Sequence, residues 1–140
     1  MSSEKDIDFV LRTVEERDIR FVRLWFTDVL GNLKSFAISP EELEEAFEEG
    51  IGFDGSAVDG FASLEESDML AFPDPATFQL LPWRPSESGV ARVFCNVFTP
   101  SREPFEGDPR RCLLNVFTKA DEQGFVPNVG PKIEYFYFDN

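Results

Sequence analysis

The chain contains 140 residues, of which 42% are hydrophobic, and it carries a formal net charge of −14 from 27 acidic and 13 basic residues, with no histidine. This charge argues against a nucleic-acid partner, because phosphate binding requires clustered Lys and Arg, and the sequence has no apolar run long enough to span a membrane. The N-terminus lacks the apolar segment of a signal peptide, and the two cysteines form no CxxC or Cys/His cluster, so we predict a cytoplasmic protein with reduced thiols and no zinc site.

The first half of the chain predicts a helix, a β-hairpin and a second helix. Apolar residues at helical spacing predict an amphipathic helix over residues 4–16. Alternating apolar residues then predict strands over residues 20–27 and 33–38, with a short turn between them. The segment SPEE, residues 39–42, has the serine, proline and glutamate of a helix start, and Gly50 is expected to end that helix.

The second half predicts a functional loop followed by more regular structure. Residues 53–76 combine small, acidic, Pro and Gly residues with little periodicity, so we expect a long ordered loop there. Strands are predicted over residues 77–81, 90–98 and 133–138, and a helix over residues 108–124. The inward face of that helix is expected to carry Leu113, Leu114, Phe117 and Ala120. This element order predicts an α+β fold in which helices pack on one side of a mixed sheet.

Acidic residues are concentrated in one part of the chain. Residues 35–83 contain no Lys or Arg but twelve Asp and Glu residues. One interpretation is a solvated acidic face. The other is a negative surface that attracts metal ions, ammonium or other cations. The pattern leaves both open.

Several segments, in order along the chain, resemble the motifs of bacterial type I glutamine synthetases. Residues 52–83, GFDGSAVDGFASLEESDMLAFPDPATFQLLPW, resemble the active-site loop of that family. The segment RFVRLWFTDVLGNLKSFAI resembles its opening strands, EPFEGDPR its lead into the next helix, and VGPKIEYFYF the first strand of its catalytic domain. The resemblance implies a β-grasp domain over residues 1–107, followed over residues 108–140 by the first helix and strand of a truncated catalytic domain.

The same resemblance implies an activity. Members of this family use ATP to phosphorylate the γ-carboxylate of glutamate, and ammonia then displaces the phosphate, with Mg²⁺ or Mn²⁺ as the metal cofactor. They assemble as homo-oligomers, dodecamers of two stacked six-membered rings. Because the chain holds only the start of a catalytic domain, we expect it to be inactive alone and to supply an ammonium-site loop to a neighbouring subunit.

The resemblance assigns roles to four residues of this loop. Asp54 in FDGS matches the carboxylate that binds ammonium and takes its proton. Ser56 and Asp68 match other positions of the ammonium-site loop, although Asp68 fits loop bracing equally well. Asp54 also fits a turn aspartate that bonds to its own backbone. Phe61 matches a position of interface or ordinary packing.

The closing segment departs from the family pattern at one position. The family has Gly-Pro-Glu-x-Glu, whose two glutamates hold two divalent metal ions. Glu134 keeps the second position and is the candidate metal ligand, whereas Lys132 replaces the first. An ammonium group cannot ligate Mg²⁺ or Mn²⁺, which prefer oxygen. Lys132 therefore either substitutes electrostatically for a metal ion, pairs with Glu134 or points to solvent.

Two alternative functions stay open from the sequence. The chain could belong to a non-catalytic paralogue that assembles with or regulates full-length synthetases. It could also belong to a γ-glutamyl ligase for a polyamine or another amine, because Ala57 stands where the family commonly has a second serine.

Overall fold

The helices and strands follow the predicted order for most of the chain. The computed structural model describes residues 4–58, 68–83 and 89–139. The α-helices in these ranges are α1 (Glu4–Glu16), α2 (Leu43–Glu49) and α3 (Pro109–Glu122). The strands are β1 (Phe21–Thr27), β2 (Leu33–Ile38), β3 (Ile51–Asp54), β4 (Asp68–Pro73), β5 (Gln79–Leu80) and β6 (Val90–Phe98). No helix within the described ranges has the length and apolar character needed to cross a bilayer.

The strands form a mixed sheet in the order β2-β1-β6-β4-β3, with β5 paired to β6. β1 and β6 run parallel, with Leu24 opposite Val93. The other paired strands run antiparallel. The predicted α+β class with a mixed sheet is confirmed.

The core lies between the sheet and the helices α1 and α2. Buried side chains of both helices join buried side chains of β1 and β6 in one cluster. Its members include Val10, Val14, Leu43, Ala46, Val22, Leu24, Ala91, Val93 and Cys95. Alternation along β1 and β6 buries every second residue, so the intervening residues form an opposite, partly exposed face.

The expected long loop over residues 53–76 is wrong where the structure describes this segment, and residues 59–67 lie outside the described residues. Residues 51–54 form β3, and residues 68–73 form β4, which pairs with both β3 and β6. In β4 the buried residues Met69, Ala71 and Pro73 alternate with more exposed ones. Asp54 and Asp68, two of the acidic residues that suggested a loop, lie on the exposed side of these strands, where core packing does not require apolar residues.

The predicted strand over residues 77–81 is shorter than expected. Only Gln79–Leu80 pairs with β6. Residues 75–77 instead form a short 3₁₀ turn, and Asp74 caps its start. The Asp74 side chain accepts a hydrogen bond from Ala76 N at 3.2 Å. Proline at the start of such a turn has the fixed φ that the turn needs.

Two predictions near the C-terminus are also wrong. α3 has no buried residue, and Leu113 and Leu114, predicted to face inward, are half-exposed. Residues 133–138 form no strand, because none of the described residues pairs with them, and Ile133 and Phe138 are more than 80% exposed. An amphipathic pattern indicates a face that is suited to burial, but burial also requires a neighbouring surface.

A buried carboxylate holds the loop between β1 and β2. Asp28 is fully buried, and its side chain accepts hydrogen bonds from the backbone N–H groups of Leu30, at 3.0 Å, and Asn32, at 2.8 Å. Lys34 Nζ lies 3.4 Å from Asp28 Oδ2. Gly31 takes a φ of +82°, which favours glycine. Burial by itself raises the pKa of Asp28, but the hydrogen bonds from Asn32, Lys34 and Leu30 outweigh it and lower the net pKa.

We expect Asp28 to make the stability of the chain sensitive to acid. Because its folded pKa lies below the ordinary value of 3.8, its contribution is present above that value and is lost as pH falls through the folded pKa. Asp28→Asn should lower stability at neutral pH and remove this part of the acid sensitivity. Urea unfolding of the 140-residue chain at a series of pH values measures both effects. Asp121→Asn, on the exposed side of α3, is the matched control, and equal acid sensitivity in the two variants would contradict the assignment.

Candidate functional site

A pocket of about 470 Å³ lies where β3 ends and β4 begins. Its lining is formed by Gly52, Phe53, Asp54, Asp68, Met69, Leu70 and Pro100. Two of the predicted site residues, Asp54 and Asp68, therefore meet in one pocket. Although they are fourteen positions apart in the sequence, the pairing of β3 with β4 brings them together.

Asp54 is fixed by the turn that follows it. Its Oδ1 atom accepts hydrogen bonds from Ser56 N at 2.9 Å and from Ser56 Oγ at 2.6 Å. Asp54 thereby caps the short 3₁₀ turn Gly55–Ala57. The turn-aspartate interpretation and the site interpretation are therefore compatible, because the same two hydrogen bonds orient the carboxylate. Ser56, the third predicted site residue, contacts Asp54 directly.

Asp68 lies directly opposite Asp54. The two residues are antiparallel partners in the pairing of β3 with β4. Side chains of such partners lie within about 4.5–5.5 Å of each other at Cβ, and like charges in this arrangement destabilise a sheet. Two carboxylates in this position attract a cation, which would offset their repulsion.

Pro100 is a pocket residue that the sequence analysis missed. β4 pairs with β6 so that Leu70 lies opposite Phe98. Two residues further along, the same register places Pro100 beside Asp68, and both line the pocket. The turn that carries Pro100 is held by Thr99, whose backbone N–H donates to Glu103 O at 2.8 Å. Only the pairing of β4 with β6 reveals this neighbour, because no local sequence signal links residues 68 and 100.

The same turn is tied to the end of α2. The Arg102 guanidinium pairs with the Glu49 carboxylate, and Arg102 takes a positive φ of 62°. Gly50 follows Glu49 directly and also has a positive φ, of 74°. A Cβ atom on Gly50 would lie 2.7 Å from the ring of Phe72, so that position requires glycine. These contacts fix the start of β3 and hence the position of Asp54.

Lys132 and Glu134 form an ion pair on the surface. Their Nζ and Oε1 atoms lie 3.2 Å apart, and their side chains are 85% and 77% exposed. This arrangement matches one of the interpretations left open above, in which Lys132 pairs with Glu134.

Residues 4–58, 68–83 and 89–139 contain no group of three or more potential metal ligands. The described residues therefore do not fit a Mg²⁺ or Mn²⁺ site by themselves, and Glu134 as a metal ligand stays a prediction. Phe61 lies outside the described residues.

A second pocket, of about 440 Å³, lies beside the start of α3 and is largely apolar. Burial raises the pKa of the Cys95 thiol that lines it, so that this cysteine is protonated and unreactive.

Polar contacts hold the start of α3 beside this pocket. Arg110, which also lines it, donates a hydrogen bond to Asp74 Oδ2 at 2.6 Å. Asp108 caps α3 and also accepts a hydrogen bond from Val97 N at 3.0 Å. Burial raises the pKa of Asp108, and the hydrogen bonds from Val97 and Arg110 offset part of that effect.

Comparison with known protein families agrees with the fold. Residues 18–100 match the family model described as the β-grasp domain of glutamine synthetase. The chain belongs to the glutamine synthetase family. The fold predicted from the resemblance, a β-grasp domain, is thereby confirmed.

The similarity to curated family members extends over nearly the whole chain. The chain is 59% identical over 135 residues to the glutamine synthetase of Mycobacterium tuberculosis, covering 95% of this chain and 30% of that protein. It is 52% identical over 129 residues to the glutamine synthetase of Methanosarcina mazei, covering 92% and 29%. The chain thus spans about 30% of the length of the curated relatives that it matches.

Two solved structures match most of this chain. A structure described as a GmaS/ADP complex matches with a TM-score of 0.72 and 31% identity, over 81% of this chain and 25% of that chain. The cryo-EM structure of Plasmodium falciparum glutamine synthetase matches with a TM-score of 0.75 over 89% of this chain and 24% of that chain, at 18% identity, which shows likeness of fold.

Repulsion between the opposed carboxylates of Asp54 and Asp68 should lower the free energy of unfolding by a measurable amount. In the 140-residue chain, Asp68→Asn should raise the free energy of unfolding by about 0.2–1 kcal/mol, because it removes a like charge opposite Asp54. Added salt should reduce this gain by screening. Urea unfolding at low and high salt measures both, with Asp8→Asn on the exposed side of α1 as the control. A loss of stability on Asp68→Asn at low salt would show that a contact of Asp68 outweighs the repulsion.

Proposed function

We propose that this chain is the N-terminal part of a glutamate–ammonia ligase and that its pocket at the end of β3 and the start of β4 binds the ammonium ion. The observation that carries this proposal is the pair of opposed carboxylates, Asp54 and Asp68, with Asp54 oriented by Ser56. The family membership supplies the reaction, and the pocket supplies a cation site that suits one of its substrates.

Asp54 has two tasks in the proposed reaction. Ammonia reaches the enzyme mostly as ammonium, which is attracted by the two carboxylates but is not a nucleophile. Transfer of one proton to the Asp54 carboxylate gives neutral ammonia inside the pocket. The ammonia nitrogen then forms a bond to the δ-carbon of γ-glutamyl phosphate, and the bond from that carbon to the phosphate oxygen breaks. The bonded nitrogen loses one further proton to the departing phosphate or to water, so the products are glutamine and inorganic phosphate.

The remainder of the site lies outside this chain. We infer that residues 1–107 form the β-grasp domain and that residues 108–140 begin a catalytic domain, which in the longer relatives would bind ATP and glutamate. Apolar side chains exposed on α3, and also Ile133 and Phe136, support this division, since such surfaces indicate a covering partner. The described residues provide no fitting set of metal ligands, so a metal ion in the proposed reaction would be held by parts of the protein outside them.

We further propose that the site is completed by another copy of the protein. Asp54 lies at the end of β3, the last strand in the sheet order, with its side chain on the exposed face. A neighbouring subunit that presents γ-glutamyl phosphate to this edge would combine the two halves of the site. The dodecamer suggested by family resemblance is one assembly that has such contacts.

The 140-residue chain alone should show no synthetase activity, since it lacks the parts proposed to bind ATP and glutamate. The measurement is phosphate release by the purified chain in the presence of ATP, glutamate, ammonium and Mg²⁺ or Mn²⁺, compared with the same assay on a full-length protein that carries this chain. Phosphate release by the short chain that depends on all three substrates would contradict the proposal.

Asp54→Ala in that full-length protein should lower the ammonia-dependent rate about 100-fold or more, the scale of losing a general base. The global fold should be kept, because Asp54 is exposed and its two hydrogen bonds with Ser56 hold only the local turn after β3. Steady-state rates at saturating ammonium and thermal unfolding test the two statements, with Asp121→Ala as the control. Unchanged turnover would mean that Asp54 is only a turn residue.

A further inference from the structure

We propose that Arg102, which is not among the residues that line the pocket, is a positioning residue for the ammonium site. It acts through its ion pair with Glu49, which holds the turn that carries Pro100 close to the strand that carries Asp54. This inference rests on the proposed function, because it concerns the binding of ammonium in that pocket. A residue that touches no substrate then sets the affinity for one.

One wall of the pocket lies beyond the hydrogen-bonded part of the sheet. The pairing of β3 with β4 reaches Asp54 and Asp68, so the sheet itself holds the two carboxylates. The pairing of β4 with β6 ends at Leu70 and Phe98, whereas Pro100 comes two residues after that end. The position of Pro100 relative to the carboxylates therefore depends on the turn that carries it.

The turn after β6 is closed by its own hydrogen bonds. Phe98 and Pro104, at its two ends, form an isolated β-bridge. Inside the turn, the Arg102 backbone N–H donates to Thr99 O at 2.9 Å, and the Glu103 N–H donates to Thr99 Oγ1 at 3.2 Å. These hydrogen bonds do not involve β3, so they set the shape of the turn but not its distance from that strand.

The ion pair connects this turn to β3. The Arg102 guanidinium pairs with the carboxylate of Glu49, which is the last residue of α2 and lies two residues before β3. In the sheet, β4 lies between β6 and β3, so the ion pair joins segments next to two strands that do not pair with each other. It thereby limits how far the wall formed by Pro100 can move from the Asp54 carboxylate.

The backbone at Arg102 indicates that its side chain has a role. Arg102 has a φ of 62°, in the left-handed region that glycine adopts readily and that other residues adopt at a cost. Glycine would make the same turn without this cost, so the turn itself does not require arginine. The side chains of Arg102 and Glu49 are 52% and 56% exposed, and exposed ion pairs add little to stability. Backbone strain of this kind is concentrated at functional sites.

Arg102→Gly separates positioning from stability, because it removes the ion pair and the backbone strain together. In a full-length protein that carries this chain, we expect an equal or higher temperature of thermal unfolding, since glycine fits the positive φ. We expect the KM for ammonium to rise about 3-fold or more, with kcat and the KM values for glutamate and ATP nearly unchanged. A residue that only supported the fold would lower stability and activity together.

Further variants test whether the effect passes through Glu49. Glu49→Ala should raise the KM for ammonium by a similar factor. The double variant, Glu49→Ala with Arg102→Gly, should raise it no further, because both changes break the same ion pair. Arg102→Lys keeps the positive charge and should retain part of the affinity for ammonium. Additive effects of the two single changes would overturn the inference.

The matched control is Asp18→Gly. Asp18 also has a positive φ, of 49°, and lies between α1 and β1, outside the pocket lining. This change therefore relieves the same kind of strain elsewhere and should leave the KM for ammonium unchanged. The inference is overturned if Arg102→Gly and Asp18→Gly give the same KM for ammonium, or if Arg102→Gly lowers the unfolding temperature.

Asp54→Ala in the same assay tests the proposed function separately. If it lowers the ammonia-dependent rate while Arg102→Gly leaves the KM for ammonium unchanged, the inference about Arg102 fails and the proposed function stands. If the full-length protein does not ligate ammonium, or if Asp54→Ala leaves the rate unchanged, the proposed function fails.

Discussion

The parallel pairing of β1 with β6 is the contact on which the rest of the structure depends. It joins the β1–β2 hairpin to the antiparallel set β6, β4 and β3. One side of β6 is buried along its whole length, from Ala91 to Val97, and packs against the core beneath α1 and α2. Past its end, β6 leads into the turn with Pro100, and its Val97 N–H binds the cap of α3. Thus one strand positions both the pocket wall and the start of α3.

The aspartate residues of this chain have two physically different roles, one for buried and one for exposed carboxylates. Asp28 and Asp108 are buried, and each accepts hydrogen bonds from backbone N–H groups. These donors replace the water molecules that the carboxylate loses on burial. Their net pKa shifts have opposite signs, because at Asp28 the hydrogen bonds prevail and at Asp108 burial prevails. Asp54 and Asp68 are exposed and face each other. The exposed pair places negative charge at the surface beside the pocket, whereas the buried pair holds the backbone.

Sequence patterns predicted the elements that bury a regular face. α1, β2 and β6 have the predicted limits, because periodic apolar residues mark both the element and its buried side. β3 and β4 were missed, since β3 has only four residues, two of which are Gly52 and Asp54, and β4 is apolar on both faces after Asp68, so neither shows a long alternation of polar and apolar residues. The resemblance to a known family found Asp54, Ser56 and Asp68, but Gly52 and Pro100 become pocket residues only through strand register. Their neighbours are distant in sequence, so no local pattern could have identified them.

The location of Asp54 on the outermost strand has a consequence for how such a protein is measured. On the side of β3 away from β4, no strand of the described residues is paired, so a reacting group can approach from another molecule. If the acyl phosphate arrives on a second chain, each working site exists only while two chains touch. Dilution below the dissociation constant of that contact would then lower the rate per chain although every chain remained folded. Specific activity would report on self-association as much as on chemistry.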